Sequence, residues 1–209
     1  MLEHVPQWLG QAMRGLRAGA DKLCIVQPEL GGDFGPIALS STAFANGGRL
    51  PPRFTADGEG ISPPLVWGAL PERTRSVALI VEDSDAPMPD PMVHAVVWGL
   101  SPYRHALAEG EIQPDGTGAP DGRDVGLNSF FFEGWLPPDP PNGHGEHNYH
   151  FQIFALDAID YPGPTPGRSA LVRAMKGNVL AAGLLTGVYS RGDAAAPGEG
   201  LIENAARIV

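Results

Sequence analysis

The chain is 209 residues long, with 14 Lys and Arg against 24 Asp and Glu and a formal net charge of −10, a balance that argues against a general binder of nucleic acid or of anionic membranes. With 43% hydrophobic and 18% charged residues it can bury a sizeable core, while 28 Gly and 22 Pro, about twice the usual share, favour many turns and short elements over long helices. A single cysteine, Cys24, permits neither an internal disulfide nor a cysteine-based zinc cage and suits a reducing compartment.

At the N-terminus, Leu2, Val5, Leu9, Ala12, Met13 and Leu16 recur at helical spacing, so an amphipathic helix is expected over residues 2–20. Its apolar stripe requires cover, either from its own domain or from a second copy in a homodimer. The first ten residues lack the basic and apolar regions of a secretory signal, and the longest apolar run, near residues 77–81, is too short to span a bilayer. A cytoplasmic location, with no integral membrane association, is the expectation.

From about Ile37 the pattern changes to short extended runs punctuated by Gly, Pro, Asn and Asp, as in an all-β sandwich. Residues 76–82 and 92–100 are apolar on both faces and read as strands buried between two layers. A third such strand is expected over residues 149–156 and a fourth over 184–189. Between these last two, a helix begins near Ser169, whose hydroxyl is placed to cap it, and ends at Gly177. Residues 101–146 form a long Gly- and Pro-rich stretch, and loops of that length in compact domains are usually functional or contain elements that periodicity does not mark. The expected division is an N-terminal helical extension over 1–30, a β domain over 31–191 and a polar tail over 192–209.

Two clusters could carry chemistry. The first is Asp83-Ser84-Asp85-Ala86-Pro87 followed by His94. If the flanking strands are antiparallel neighbours, the turn brings the aspartates near His94. Taken alone, the aspartates read as turn residues bonding nearby amides, and His94 reads as a core histidine sharing a face with Val96 and Trp98. The second cluster is Gly143-His144-Gly145-Glu146-His147-Asn148-Tyr149-His150. Strand alternation puts His147 and Tyr149 on one face and His150 on the other, which speaks against three histidines converging on a metal, although His144 in the preceding loop could join either side. No phosphate-binding loop, nucleophile elbow, zinc-protease motif or dinucleotide-binding glycine fingerprint occurs, and Cys24 has no adjacent base in sequence.

Taken in order, Ala43-Phe44-Ala45-Asn46-Gly47-Gly48, the stretch 55–67 with Asp57-Gly58-Glu59 and Ile61-Ser62-Pro63-Pro64-Leu65, Asp83 to Pro87, His94, Pro140-Pro141, His147 to Tyr149 and residues 177–189 resemble the phosphatidylethanolamine-binding protein family, in its bacterial and archaeal Raf-kinase-inhibitor-like branch. The resemblance covers about residues 37–191. It implies a mainly β fold of two antiparallel sheets with Greek-key connections and C-terminal helices. It also implies a pocket for a small anion such as phosphate or a phosphorylated head group; no cofactor, metal or catalytic residue is expected from the residues themselves. Asp83, Asp85, Pro87, His94, Pro141, His147 and Tyr149 fall on the family's pocket motifs. Three positions depart from the family pattern: Ser84 stands where a proline is usual, Asn148 replaces an arginine, and Asp139 adds a carboxylate before the proline pair. The resemblance implies a ligand-binding protein; regulation of a kinase or another protein partner is a further role open to it, which depends on partners and is not transferred by the resemblance. The alternative is an enzyme using Asp85, His94 and His147 for acid–base chemistry.

Overall fold

A computed structural model describes residues 5–116, 123–158 and 160–191. The expected tail from residue 192 onward and the first four residues of the expected helix lie outside the described residues. The short strands are β1 (Gly35–Pro36), β2 (Leu39–Ser40), β3 (Gly48–Arg49), β4 (Leu65–Trp67), β7 (Ala106–Leu107) and β8 (Asp124–Val125); the long ones are β5 (Ser76–Asp83), β6 (Met92–Leu100), β9 (His147–Leu156) and β10 (Val179–Tyr189). The larger sheet runs β1-β10-β9-β5-β6-β8, with β3 also on β10, and a second sheet runs β2-β4-β7. In the large sheet β9 lies beside β5, while β5, β6 and β8 follow one another, which is Greek-key order. The pairings are antiparallel except for the short parallel contacts of β1 and β3 with β10.

Both faces of the large sheet are covered, which is why β5 is buried along its whole length. On one face Leu79, Val81, Val97, Phe151 and Ile153 pack against Leu65, Trp67 and Leu107 of the small sheet. On the other, Ala78, Ile80, Val96, Phe154 and Leu156 meet Leu171, Val172 and Met175 of the helix Arg168–Met175, together with Cys24 and Leu30. Removing side chains of this size from water on both faces supplies the main driving force for the fold. Among the described residues, no helix is long and apolar enough to cross a membrane.

Two local expectations need correction. The N-terminal helix, α1, spans only Gln7–Met13, after which the chain continues through a turn and short 3₁₀ segments. Gly15 and Gly19 follow it, Gly19 at φ 100°, a conformation that cannot continue a helix. The residue that α1 buries is Gly10 rather than an apolar stripe, for Trp8 and Leu16 are 68% and 59% exposed. The second helix, α2 (Arg168–Met175), starts after Gly167 with no side-chain cap, so Ser169 lies inside it and does not cap it.

Candidate functional site

Strands β5 and β6 are antiparallel partners, and the intervening turn places Asp83 opposite Met92. Asp83 Oδ1 accepts the Asp85 amide at 2.8 Å, so the first aspartate shapes the turn, while its Oδ2 lies 2.7 Å from His147 Nδ1. It therefore shapes the turn and meets His147 at the same time. Strand β9 sits on the other side of β5 with Asp83 paired to Tyr149, and this pairing joins motifs more than sixty residues apart.

His94 does not share a face with Val96 and Trp98. Val81 pairs with Ala95 whereas Glu82 pairs with Val93, leaving His94 as the extra residue of a β-bulge. The bulge turns the imidazole toward Tyr149, with ring centroids 5.1 Å apart and edge-on, and toward Trp135 at 6.1 Å. Val96 and Trp98 instead pack with the α2 face. Strict alternation could not have revealed this, because a bulge shifts the period by one residue.

Asp83, Pro87, His94, Pro141 and His147 all line one cavity of about 670 Å³. Asp85 and Tyr149 are not among its walls, although Tyr149 packs against the lining His94. Asp85 is turned away: its carboxylate accepts the Asn148 amide and side chain, both at 2.8 Å, and pairs with Arg17. Burial pulls the Asp85 carboxyl upward, but these hydrogen bonds outweigh it and hold the group below its ordinary range. Tyr149 is fully buried, and burial pushes its phenol well above the usual value, so it remains protonated.

The remaining walls come largely from the long stretch before β9: Phe130, Phe132, Leu136, Pro137, Asp139 and Pro140. A tight loop carries the phenylalanines. Asn128 Oδ1 accepts the Phe130 amide at 2.9 Å, the Asn128 amide bonds Phe132 O at 2.9 Å, and Phe131 adopts φ 63° between them. This φ lies in the left-handed region, uncommon for a side chain of that size, and the hydrogen-bonded loop imposes it. Nothing periodic in the sequence marked these residues.

The three departures from the family pattern each have a structural account. Ser84 donates its amide to Asn148 O, which a proline could not do, and its hydroxyl lies 3.0 Å from His150 Nε2. Asn148 gives Asp85 two of its hydrogen bonds, and the guanidinium that also holds Asp85 belongs to Arg17 of the N-terminal segment. Asp139 pairs with Arg191, which also grips Asp57 at 2.6 Å, so its charge is compensated locally.

His144 lies 2.7 Å from His147, Nδ1 to Nε2, and its own Nε2 is 2.9 Å from the Met13 carbonyl. Met13 carbonyl, His144, His147 and Asp83 thus form a line rather than a ring about one point, and among the described residues no group of three or more His, Cys, Asp or Glu could hold a metal ion. His150 is on the opposite face, as alternation requires. Cys24 is buried, and burial with Glu82 nearby drives its thiol pKa far up, which disfavours the thiolate.

A family model for phosphatidylethanolamine-binding protein matches residues 40–190. The chain belongs to the phosphatidylethanolamine-binding protein family. A UPF0098 protein of Methanothermobacter thermautotrophicus is 39% identical over 154 residues, covering 74% of this chain and 99% of that protein. Another, from Pyrococcus horikoshii, is 36% identical and covers 72% of this chain and 75% of its own. Among solved structures, Escherichia coli YbcL, described as a member of the mammalian family, superposes with a TM-score of 0.68 at 28% identity over 74% of this chain and 98% of its own. The Chlamydia trachomatis homologue CT736 gives 0.66 at 34% identity over 75% of this chain and 98% of its own. The family match begins at residue 40, so Met13 and Arg17 contact the site from outside it.

Proposed function

We propose that the protein binds a small phosphate-bearing ligand in the cavity bounded by Asp83, Pro87, His94, Pro141 and His147, and that it acts by binding rather than by catalysis. One observation carries this reading. His94 Nε2 and the Tyr149 hydroxyl are buried without a hydrogen-bond partner, and the Tyr149 ring packs edge-on against His94, which lines the cavity. Buried polar atoms are nearly always paired, and each costs free energy while it is not. A ligand with oxygen atoms would complete both.

The rest of the cavity wall is mainly apolar, so a polar group entering it meets few competing partners. The carboxylate nearest the proline pair, Asp139, is held by Arg191 and opposes an anion less than an unpaired aspartate would. An acid–base enzyme would need a nucleophile beside His147. Ser84, the hydroxyl between the two aspartates, is engaged by His150 instead.

Calorimetric titration with inorganic phosphate tests the proposal. Weak saturable binding is expected, lost in His94→Leu and Tyr149→Phe, with a phosphomonoester recovered unhydrolysed. Absence of binding by the wild-type protein, or binding that both variants retain, overturns it.

A further inference from the structure

The tautomers at the site follow from what each ring nitrogen faces. The Met13 carbonyl can only accept, so the nitrogen 2.9 Å from it, His144 Nε2, carries hydrogen. His144 is fully buried beside His147 and the Arg17 guanidinium, surroundings that keep it neutral. Its Nδ1 then has a lone pair and accepts from His147 Nε2 at 2.7 Å. The Asp83 carboxylate can only accept, so the other nitrogen of His147, Nδ1, donates to it at 2.7 Å and the ring donates from both nitrogens. Both His147 nitrogens are therefore occupied within the protein, and His147 offers a ligand no hydrogen bond.

His94 is constrained in the same way. Its Nδ1 lies 2.6 Å from the Leu136 carbonyl and must donate, so in the neutral ring Nε2 is an acceptor. Burial favours the neutral form of His94 and outweighs the opposing pull of Asp83 and of the Leu136 carbonyl, while His147 acts in the same direction as burial. The Tyr149 hydroxyl, near Asp83, Asp85, Asp139 and Arg191, keeps its proton and can donate. The unpartnered pair is thus one acceptor and one donor.

From this geometry we infer that His144 is a specificity-determining residue: by occupying His147 it leaves the cavity selective for a phosphate that brings its own hydroxyl, a phosphomonoester or free phosphate, against a phosphodiester without a donor. The ligand's P–OH donates to His94 Nε2 and a second oxygen accepts from Tyr149. A diester leaves the His94 acceptor buried and unsatisfied, the arrangement that gives hydrogen-bonding sites their strongest rejection of incomplete analogues.

The N-terminal segment sets this selectivity, because it holds His144 in place. Met13 supplies the carbonyl, Arg14 Nε donates to Gly143 O at 2.7 Å, and Arg17 donates to Glu146 O at 2.9 Å. Helix α1 approaches the loop so closely that a Cβ on Gly10 would stand 2.0 Å from Asn142 O, a backbone atom that cannot swing aside.

The inference rests on the phosphate-binding proposal for its ligand, and methyl phosphate against dimethyl phosphate separates the two. If neither binds, the binding proposal fails. If both bind alike, binding stands and the selectivity is overturned. The expected result is that dimethyl phosphate binds about ten-fold or more weakly, as one buried acceptor left unpaired implies. Calorimetry at pH 7.5 in two buffers of different ionisation enthalpy should show about one proton taken up with methyl phosphate, whose second pKa is near about 6. No proton uptake counts against the scheme.

His144→Leu frees the His147 nitrogen as a donor, so dimethyl phosphate should gain affinity and the discrimination narrow to about three-fold or less. His144→Gln, whose amide can both accept from His147 and donate to Met13, should keep it. Gly10→Ala should mimic His144→Leu by lifting α1 off the loop. Long-range ¹H–¹⁵N spectra of the imidazoles give a readout independent of ligand, with hydrogen expected on Nε2 of His144, on both nitrogens of His147 and on Nδ1 of His94. A bare Nε2 on His147 in the wild-type protein overturns the inference.

Discussion

Replacing Arg191 by methionine tests how the site tolerates a carboxylate at its wall. The guanidinium is almost wholly buried and holds two acids at once: Asp57, with Nε at 2.7 Å and Nη2 at 2.6 Å, and Asp139, while also donating to the Pro140 carbonyl at 3.2 Å. Tyr189 donates to Asp57 at 2.7 Å and remains when Arg191 is gone. Removing one partner of a fully buried ion pair costs about 3–5 kcal/mol, and an exposed pair is worth about 0–1 kcal/mol. Here the cation is buried, but the Asp57 and Asp139 side chains keep 30% and 22% of their exposure and regain water. The expected loss is therefore intermediate, about 2–3 kcal/mol, read as a lower urea midpoint at unchanged slope. Asp139 would also lose this cation at the cavity, so phosphate affinity should fall by about ten-fold, equivalent to about 1.4 kcal/mol. The double variant Arg191→Met with Asp139→Asn removes the repulsion and should regain most of the affinity while remaining less stable than wild type. If the double variant binds phosphate no better than the single one, local compensation of Asp139 is not what protects the site.

Three further outcomes follow from the same structure. Burial lowers the His94 pKa, so the unfolded chain binds more protons than the folded one below about pH 6.5, and stability is lost as pH falls through that window by at most about 1.4 kcal/mol per pH unit from this residue; urea titrations at pH 7.5 and 5.5 should show a smaller drop in His94→Gln, and an identical drop refutes a neutral buried His94. Phosphate affinity should rise on acidification, since the complex holds one proton more than its separated parts, and calorimetry showing equal affinity at pH 7.5 and 6 or a loss at the lower pH counts against the anion-pocket account. Trp8, Leu9 and Leu16 remain exposed, and we propose that they meet a second copy in a homodimer, so light scattering should give twice the chain mass for the wild type and a monomer for Trp8→Lys, and a monomeric wild type removes the dimer.

The sequence by itself determined the elements whose signal is local. Strands apolar on both faces could be read over residues 76–82 and 92–100 because each is buried between two layers, and the alternation at His147, Tyr149 and His150 followed from the pleat. The ordered motifs on either side of Asp83 and His147 also pointed to one site, and the β5–β9 pairing joins them. Only the tertiary structure could decide the rest, because the remaining contacts are set by packing between distant segments. The bulge that turns His94 toward Tyr149 depends on how β6 pairs with β5, and no residue pattern within β6 encodes it. Arg17 reaches Asp85 across 68 positions and Met13 reaches His144 across 131, distances at which helical periodicity in the first twenty residues carries no information. That periodicity suggested an apolar stripe, yet the docking of α1 is governed by the absence of a side chain at Gly10 and by backbone carbonyls, which look alike at every position of a sequence.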